Sequence, residues 1–194
     1  MAENGAESTL EQKLLAVRLL AMDVDGVLTD GGIIVNGDGT ETKRFHVADG
    51  LGIQLVLYAG IPVAWVSGRE SAAVAKRAEE LGVTHLYQGA RNKSAALAEL
   101  MGRYALTPAN VAFIGDDWND LPAYSIAAVK FAPSNAATGI KAQADFITEK
   151  AGGAGAVREV CDLILKAQSK QTPALEQYFA RLLQPESPDN RVPG

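Results

Sequence analysis

Leu19-Leu20-Ala21-Met22-Asp23-Val24-Asp25-Gly26-Val27-Leu28-Thr29 is the stretch on which the fold turns. The apolar run before Asp23 reads as a short buried strand, and Gly26 as the turn that ends it. Two carboxylates stand two residues apart at that point. In a straight strand both would leave the same face, one pleat apart. If the backbone unwinds between Val24 and Gly26, both meet above the strand's carboxyl end, where ligands bind in open α/β sheets. Acidic residues are common in turns, so the pair also reads as a solvated loop or helix cap. The rest of the chain weighs between the two.

Outward from this strand the pattern alternates. Upstream, Thr9 to Val17 reads as a short helix, with Thr9 as N-cap and Gln12 completing a capping box. Downstream, β-branched residues flank Gly37-Asp38-Gly39, a hairpin between Asp30 and Val47. Asp49-Gly50 opens a helix running to Tyr58, closed by Gly60. Pro62 to Val66 is a strand ending in Ser67-Gly68-Arg69, and Glu70 to Leu81 a helix closed by Gly82. Thr84 to Tyr87 is a strand and Asn92 to Tyr104 a helix. Asn110 to Ile114 is a strand ending in Gly115-Asp116-Asp117, followed by a helix from Leu121 to Ala127. Val129 to Ala132 and Asp145 to Thr148 are short strands around a helical segment near 136–143, and Val157 to Gln168 is a helix. Such alternation predicts a doubly wound, Rossmann-like parallel sheet with helices on both faces and the strand carboxyl ends on one edge. Leu175, Tyr178, Phe179, Leu182 and Leu183 then recur at helical spacing, an amphipathic segment expected to dock on the body or on a neighbour. Met1 to Ser8 and Pro185 to Gly194 read as disordered.

The 194 residues suffice for one domain with a substantial core. No apolar run approaches a membrane span. Glu3, Glu7 and Glu11 argue against a signal peptide, and the single Cys161 excludes an internal disulfide, so a cytoplasmic location is expected. Cys161 falls in an apolar helical pattern and is expected to be buried. A formal net charge of −5 argues against nucleic acid as the partner.

Four strand or helix ends carry reactive types: Asp23 with Asp25, Ser67, Lys93, and Asp116 with Asp117. Topology brings them to one edge. Several carboxylates in one place repel, which calls for a hard cation, and few protein ligands with retained waters favour Mg²⁺. A hydroxyl, a lysine and a divalent ion suit a phosphoryl group. Blander readings attach to some of these. Ser67 would also serve as a helix N-cap, Asp117 as a backbone cap, Arg69 as a solvated helix-start residue and His46 as a surface residue of the hairpin edge. His85 reads as structural and Trp65 as core. The Gly152-Gly153-Ala154-Gly155 run lacks the Gly-Lys-Ser/Thr ending of a phosphate loop.

Asp-Val-Asp-Gly-Val-Leu-Thr (23–29), Val-Ser-Gly-Arg (66–69), Asn-Lys (92–93) and Gly-Asp-Asp-x-x-Asp (115–120) resemble, in order, the four motifs of the haloacid dehalogenase superfamily. Three further stretches are similar to its capless 3-deoxy-D-manno-octulosonate 8-phosphate phosphatase family: Phe45-His46-Val47-Ala48-Asp49-Gly50, residues 81–89 and residues 151–160. The resemblance runs from about Arg18 to Gln168, which implies an N-terminal extension over 1–17, a phosphatase domain over 18–168 and a tail over 169–194. It implies that Asp23 is the nucleophile, forming an aspartyl-phosphate, and that Asp25 is the acid and base. It further implies Mg²⁺ held by Asp23, the Asp25 backbone carbonyl and Asp116, with Asp117 and Asp120 orienting that set. Ser67 and Lys93 would hold the phosphoryl oxygens.

Superfamily members acting on small substrates usually insert a lid domain. Here the gap after the first motif holds only the hairpin, and the gap from Ser67 to Lys93 holds one helix, one strand and their loops. A capless enzyme must exclude water otherwise, and the resemblance implies a homotetramer that closes its sites with neighbouring hairpins and Gly-rich tails. His46, Asp49, Gly50, Gln54, Gly68, Arg69 and Arg77 would read the sugar acid, Arg69 its carboxylate. Where relatives often carry basic residues, this chain has Ala48 and Gln54, and Trp118-Asn119 replaces a more aliphatic pair. The implied activity is hydrolysis of 3-deoxy-D-manno-octulosonate 8-phosphate in lipopolysaccharide precursor synthesis. The alternatives are a nine-carbon ulosonate 9-phosphate as substrate, a receiver-type phospho-acceptor domain and a non-catalytic scaffold. In a receiver the acidic pair would follow the first strand and the lysine the last.

Overall fold

The computed structural model describes residues 9–183. The expectations for Met1 to Ser8 and Pro185 to Gly194 lie outside them. The chain opens with α1 (Leu10–Ala16), whose N-terminus carries the capping box: Gln12 N donates to Thr9 Oγ1 and Thr9 N to Gln12 Oε1. β1 (Leu19–Met22) follows, then the hairpin β2 (Ile34–Val35) and β3 (Glu41–Thr42), α2 (Val47–Tyr58), β4 (Val63–Val66), α3 (Ala72–Leu81), β5 (His85–Tyr87) and α4 (Lys93–Tyr104). The second half comprises β6 (Val111–Ile114), α5 (Leu121–Tyr124), β7 (Val129–Ala132), α6 (Thr138–Lys141), β8 (Phe146–Ile147), α7 (Ala156–Ala167) and α8 (Gln171–Leu182).

Six strands form one parallel sheet in the order β5-β4-β1-β6-β7-β8, and β2 and β3 pair antiparallel outside it. Strand parity divides the interior. Leu20, Met22, Trp65 and Ile114 face a core shared with α1, α2, α3 and α7, while Leu19, Ala21, Ala64 and Phe113 face α4, α5 and α6. β1, β4 and β6 are buried along their whole length, which explains their continuous apolar runs in place of alternation. Each fully buried Leu or Val contributes roughly 1.5–3 kcal/mol. Trp65 and Cys161 are core residues, as expected, and burial pushes the Cys161 thiol well up.

Three helices depart from the expected bounds, each for a local reason. α2 starts at Val47 rather than Asp49, because His46 already takes the extended backbone of an N-cap. α3 starts at Ala72 rather than Glu70. The backbone from Ser67 to Arg69 is committed to the segment after β5: Ala90 N donates to Ser67 O and Gly89 N to Arg69 O. Ser67 is therefore no helix cap. α5 shrinks to one turn, preceded by a 3₁₀ turn over Trp118–Asp120 that Asp117 and Asp120 cap. The amphipathic tail is α8. It packs on α2 through Ala174, Leu175 and Tyr178, and leaves Phe179, Leu182 and Leu183 exposed.

Candidate active site

The sheet order reverses at β1, which lies between β4 and β6. Chains leaving neighbouring strand ends toward opposite faces open a crevice there. Register sets its depth. Met22 pairs with Trp65 and with Ile114. Asp23 is one residue beyond Met22, Ser67 two beyond Trp65 and Asp116 two beyond Ile114, so all three reach the same rim.

Parity aims Asp23 to the α4 side. α4 begins at Lys93, behind an Asn92 N-cap that accepts from Ser94 N at 3.2 Å. A lysine in the first turn of a helix runs against the helix dipole, and this one is also 1 % exposed. Two carboxylates hold it: Lys93 Nζ lies 2.7 Å from Asp23 Oδ2 and donates to Asp120 Oδ1 at 2.6 Å. Burial pulls the Lys93 ammonium down, but the Asp23 and Asp120 charges outweigh it and leave it above its ordinary value.

Gly26 makes the convergence possible. Its φ is +88°, and a Cβ there would fall 1.9 Å from Asp116 Oδ2. Only a residue without a side chain lets the Asp116 carboxylate lie against the unwound β1 loop. That loop is tied by Val24 O, which accepts from Val27, Leu28 and Thr29 N. The Gly-rich run packs behind it. A Cβ on Gly152 would sit 1.8 Å from Gly26 O, and Gly153 N donates to Val27 O at 3.0 Å. These glycines serve close backbone approach.

Carboxylate oxygens of Asp23, Asp116 and Asp120 lie within 4.8 Å of one another. Both Asp120 oxygens are engaged, Oδ1 by Lys93 and Oδ2 by Asp116 N at 2.8 Å and Asp117 N at 3.3 Å. Asp120 is thus the post that sets the loop. Asp23 and Asp116, unlike Asp120, line the open cleft; Asp23 Oδ1 accepts from Val24 N at 2.7 Å and its Oδ2 faces Lys93. Burial, with the Asp120 charge, holds Asp23 up at about 6 despite Lys93. Burial, with the Asp23 and Asp120 charges, pushes Asp116 up to about 7. Three acids against one lysine leave a local charge deficit that a divalent cation offsets, and hard oxygen donors suit Mg²⁺.

These groups floor a cleft of about 250 Å³ lined by Asp23, Asp25, Gly31, Ser67, Gly68, Arg69, Asp116, Asp117 and Asn119. A cleft of similar size between α2, α3 and α8 is lined by Gln54, Tyr58 and Arg181. Its carboxylates, Glu79 and Glu80, pair with Lys76 and Arg77 on the same helix and do not converge, so chemistry rather than volume selects the site. In the first cleft Ser67 Oγ accepts from Arg69 N at 3.1 Å, a local turn that fixes the hydroxyl. Asp117 is exposed and accepts from Trp118 N, the backbone-cap reading.

The structure does not bring His46, Asp49, Gly50, Gln54 or Arg77 to this cleft. His46 lines a separate hollow with Lys150 and Arg158, and Gln54 lines the one between α2, α3 and α8. Arg77 pairs with Glu80 and lies against Gly50. Asp49 is buried, and its Oδ1 accepts from Arg158 N at 2.7 Å. His85 bonds Tyr104 OH at 2.6 Å, as a structural residue should.

Sequence reasoning passed over Lys43, which faces Asp25, and Glu41, which backs Lys43. Lys43 Nζ bonds Asp25 Oδ1 and lies 2.8 Å from Glu41 Oε1. Arg69 donates to Glu41 Oε2 at 2.5 Å and lies 3.8 Å from Asp25 Oδ2. These hydrogen bonds, from Lys43 first and then Arg69, hold Glu41 down at about 2. Period-2 spacing from β3 into the residue after it, which puts Glu41 and Lys43 on one face, was the available signal.

A crevice at the β1 switch point with acids on both sides and no inserted lid is the layout of a haloacid dehalogenase-like hydrolase. A family model of that description matches residues 80–160. The 3-deoxy-D-manno-octulosonate 8-phosphate phosphatase of Escherichia coli is 47 % identical over 154 residues, 79 % of this chain and 82 % of the relative. The chain belongs to the family of that phosphatase. The Moraxella catarrhalis enzyme, solved with magnesium, phosphate and 3-deoxy-D-manno-octulosonate, is 46 % identical at a TM-score of 0.83, covering 87 % of this chain and 97 % of that one. The cobalt-bound Haemophilus influenzae enzyme is 40 % identical at a TM-score of 0.80, covering 83 % and 94 %.

Proposed function

We propose that the protein hydrolyses 3-deoxy-D-manno-octulosonate 8-phosphate to the free sugar acid and phosphate, a step of lipopolysaccharide precursor synthesis. The observation that carries this is Asp23 beside Asp116 at the β1 switch point, with Asp25 across the same cleft. Asp23, Asp116 and the Asp25 backbone carbonyl would hold Mg²⁺, which when bound offsets the acidic cluster and draws charge from the phosphoryl oxygens.

An Asp23 carboxylate oxygen attacks phosphorus, and the bond from phosphorus to the sugar oxygen breaks. The electron pair goes to that oxygen, which takes a proton from Asp25. Asp25 then takes a proton from water as the water attacks the aspartyl-phosphate, releasing phosphate and restoring Asp23. Lys93 and Ser67 neutralise and orient the phosphoryl oxygens. Arg69 on the rim suits the substrate carboxylate.

Chain order disfavours the receiver-type alternative. The acidic pair follows β6, Lys93 precedes it, and Asp25 adds the second carboxylate that turnover needs. A homotetramer in the cytoplasm is the setting proposed. The open cleft lacks a lid, and Ile34, Val35 and Val47 on the hairpin and the start of α2 are 51 %, 69 % and 80 % exposed, an apolar patch fit for a second copy. No helix among the described residues is long and apolar enough to cross a membrane.

Phosphate release from a panel of ulosonate phosphates and common sugar phosphates tests the assignment. The eight-carbon acid is expected to lead the nine-carbon one, only with Mg²⁺, and Asp23→Asn to abolish turnover with the fold intact. Retention of most activity by Asp23→Asn would sink the mechanism. Light scattering tests the assembly, and a monomer would remove the tetramer from the proposal.

A further inference from the structure

The hairpin meets the cleft through the residues about β3. Lys43, just past β3, has a side chain with no exposed surface, and its Nζ bonds Asp25 Oδ1. Glu41 in β3 backs it at 2.8 Å and is itself gripped by Arg69 at 2.5 Å, while Arg69 lies 3.8 Å from the other Asp25 oxygen. Asp25, Lys43, Glu41 and Arg69 thus close a ring of alternating charge joining the β1 loop, the hairpin and the β4 loop. Covering a lysine completely costs desolvation unless it is paired on more than one side, and here both partners are in place.

We infer that Lys43 is a positioning residue for the reaction. It fixes the rotamer of the Asp25 carboxyl toward the leaving-group oxygen, and Glu41 and Arg69 hold Lys43 in place. The inference rests on the phosphatase reading and on Asp25 as its acid. Its consequence is that the acid is aimed only while the hairpin is docked. Loss of Lys43 should therefore injure proton delivery more than phosphoryl attack. A sugar alkoxide leaves poorly without a proton, whereas p-nitrophenolate leaves well without one, and kcat/KM reports the first transfer for both.

The test compares kcat/KM for 3-deoxy-D-manno-octulosonate 8-phosphate and for p-nitrophenyl phosphate, both with saturating Mg²⁺. Lys43→Met is expected to cost about 10²-fold on the sugar phosphate and under about 3-fold on the aryl phosphate. Lys43→Arg should recover at least about tenfold of the loss, since it keeps the charge and the donors. Glu41→Gln, a milder change, should show the same selectivity at about 3- to 10-fold. Equal losses on the two substrates in Lys43→Met and Glu41→Gln, or no loss on either, would overturn the inference. A wild-type protein that turns over neither substrate would instead strike the phosphatase assignment on which it rests.

Discussion

Lys93 Nζ stands 2.7 Å from Asp23 Oδ2 and 2.6 Å from Asp120 Oδ1, the sole lysine bridge between the β1 and β6 ends among the described residues. It is the cation that lets three acids share a buried corner. Replacing it by Met keeps the volume and removes the charge. At pH 8 the metal-free variant should lose about 3 kcal/mol of stability in urea unfolding, the cost of leaving buried carboxylates uncompensated. At pH 5.5, where protons can take the place of the missing charge, the loss should shrink. Turnover should fall about 10²- to 10³-fold. An equal stability loss at both pH values would show that Lys93 acts by packing.

Protons and Mg²⁺ compete for the same oxygens. Asp23 and Asp116 are raised from 3.8 to about 6 and about 7. A carboxylate raised on folding favours the folded state when protonated, so the metal-free protein loses that stability as pH climbs from about 4 to 7. Mg²⁺ needs the deprotonated oxygens, so its affinity should rise about tenfold or more per pH unit across this window. Calorimetric titration at pH 5.5, 6.5 and 7.5 gives the slope. The melting-temperature gain on adding Mg²⁺ should be larger at pH 8 than at pH 5.5, and the reverse order would refute the assignment of these two donors.

Gly26→Ala probes the approach of the loops without touching a charge. The positive φ costs a side chain about 1–2 kcal/mol, and the added carbon meets Asp116 Oδ2 at 1.9 Å. Asp116 must retreat, so Mg²⁺ affinity should fall about tenfold or more while the fold persists. Unchanged Mg²⁺ binding in a folded Gly26→Ala protein would place the metal away from Asp116.

Much of this was legible in the residues. The apolar runs of β1, β4 and β6, with Asp23, Ser67 and Asp116 within two residues of their ends, point to both the parallel sheet and the edge that carries chemistry. Lys93 stood out by type, but not by role, since spacing says nothing of two carboxylates gripping one ammonium. Asp120, which the resemblance casts as orienting the metal set, accepts from Asp116 N, Asp117 N and Lys93, partners that no spacing rule names. Glu41 and Lys43 were passed over because their partners, Arg69 and Asp25, lie 28 and 18 residues away and meet them only through the hairpin's fold-back. His46, Asp49, Gln54 and Arg77 show the opposite gap. They lie on α2 and α3 or at the start of α2, and helix geometry turns them from the cleft toward other elements or solvent.

Asp49 shows what such a residue does instead. It sits in the first turn of α2, 1 % exposed, and spends Oδ1 on Arg158 N in the first turn of α7. It is thus a tether between two helices whose amide-rich end favours an acceptor. Its other oxygen, Oδ2, is buried with no hydrogen-bond partner among the described residues, and burial raises the carboxyl above its ordinary value. The charged form is therefore the costly one, and the folded protein is better served at low pH than at high pH at this position. Asp49→Asn keeps an acceptor for Arg158 N and sheds the charge, so it should cost under about 1 kcal/mol at pH 8. Asp49→Ala strands the amide and should cost about 1–3 kcal/mol. In both, KM for the sugar phosphate should stay within about twofold in folded protein, because a residue removed from the cleft contributes no uniform binding. A selective rise of KM in Asp49→Asn with unchanged stability would instead make Asp49 a substrate contact, reached from a neighbouring subunit.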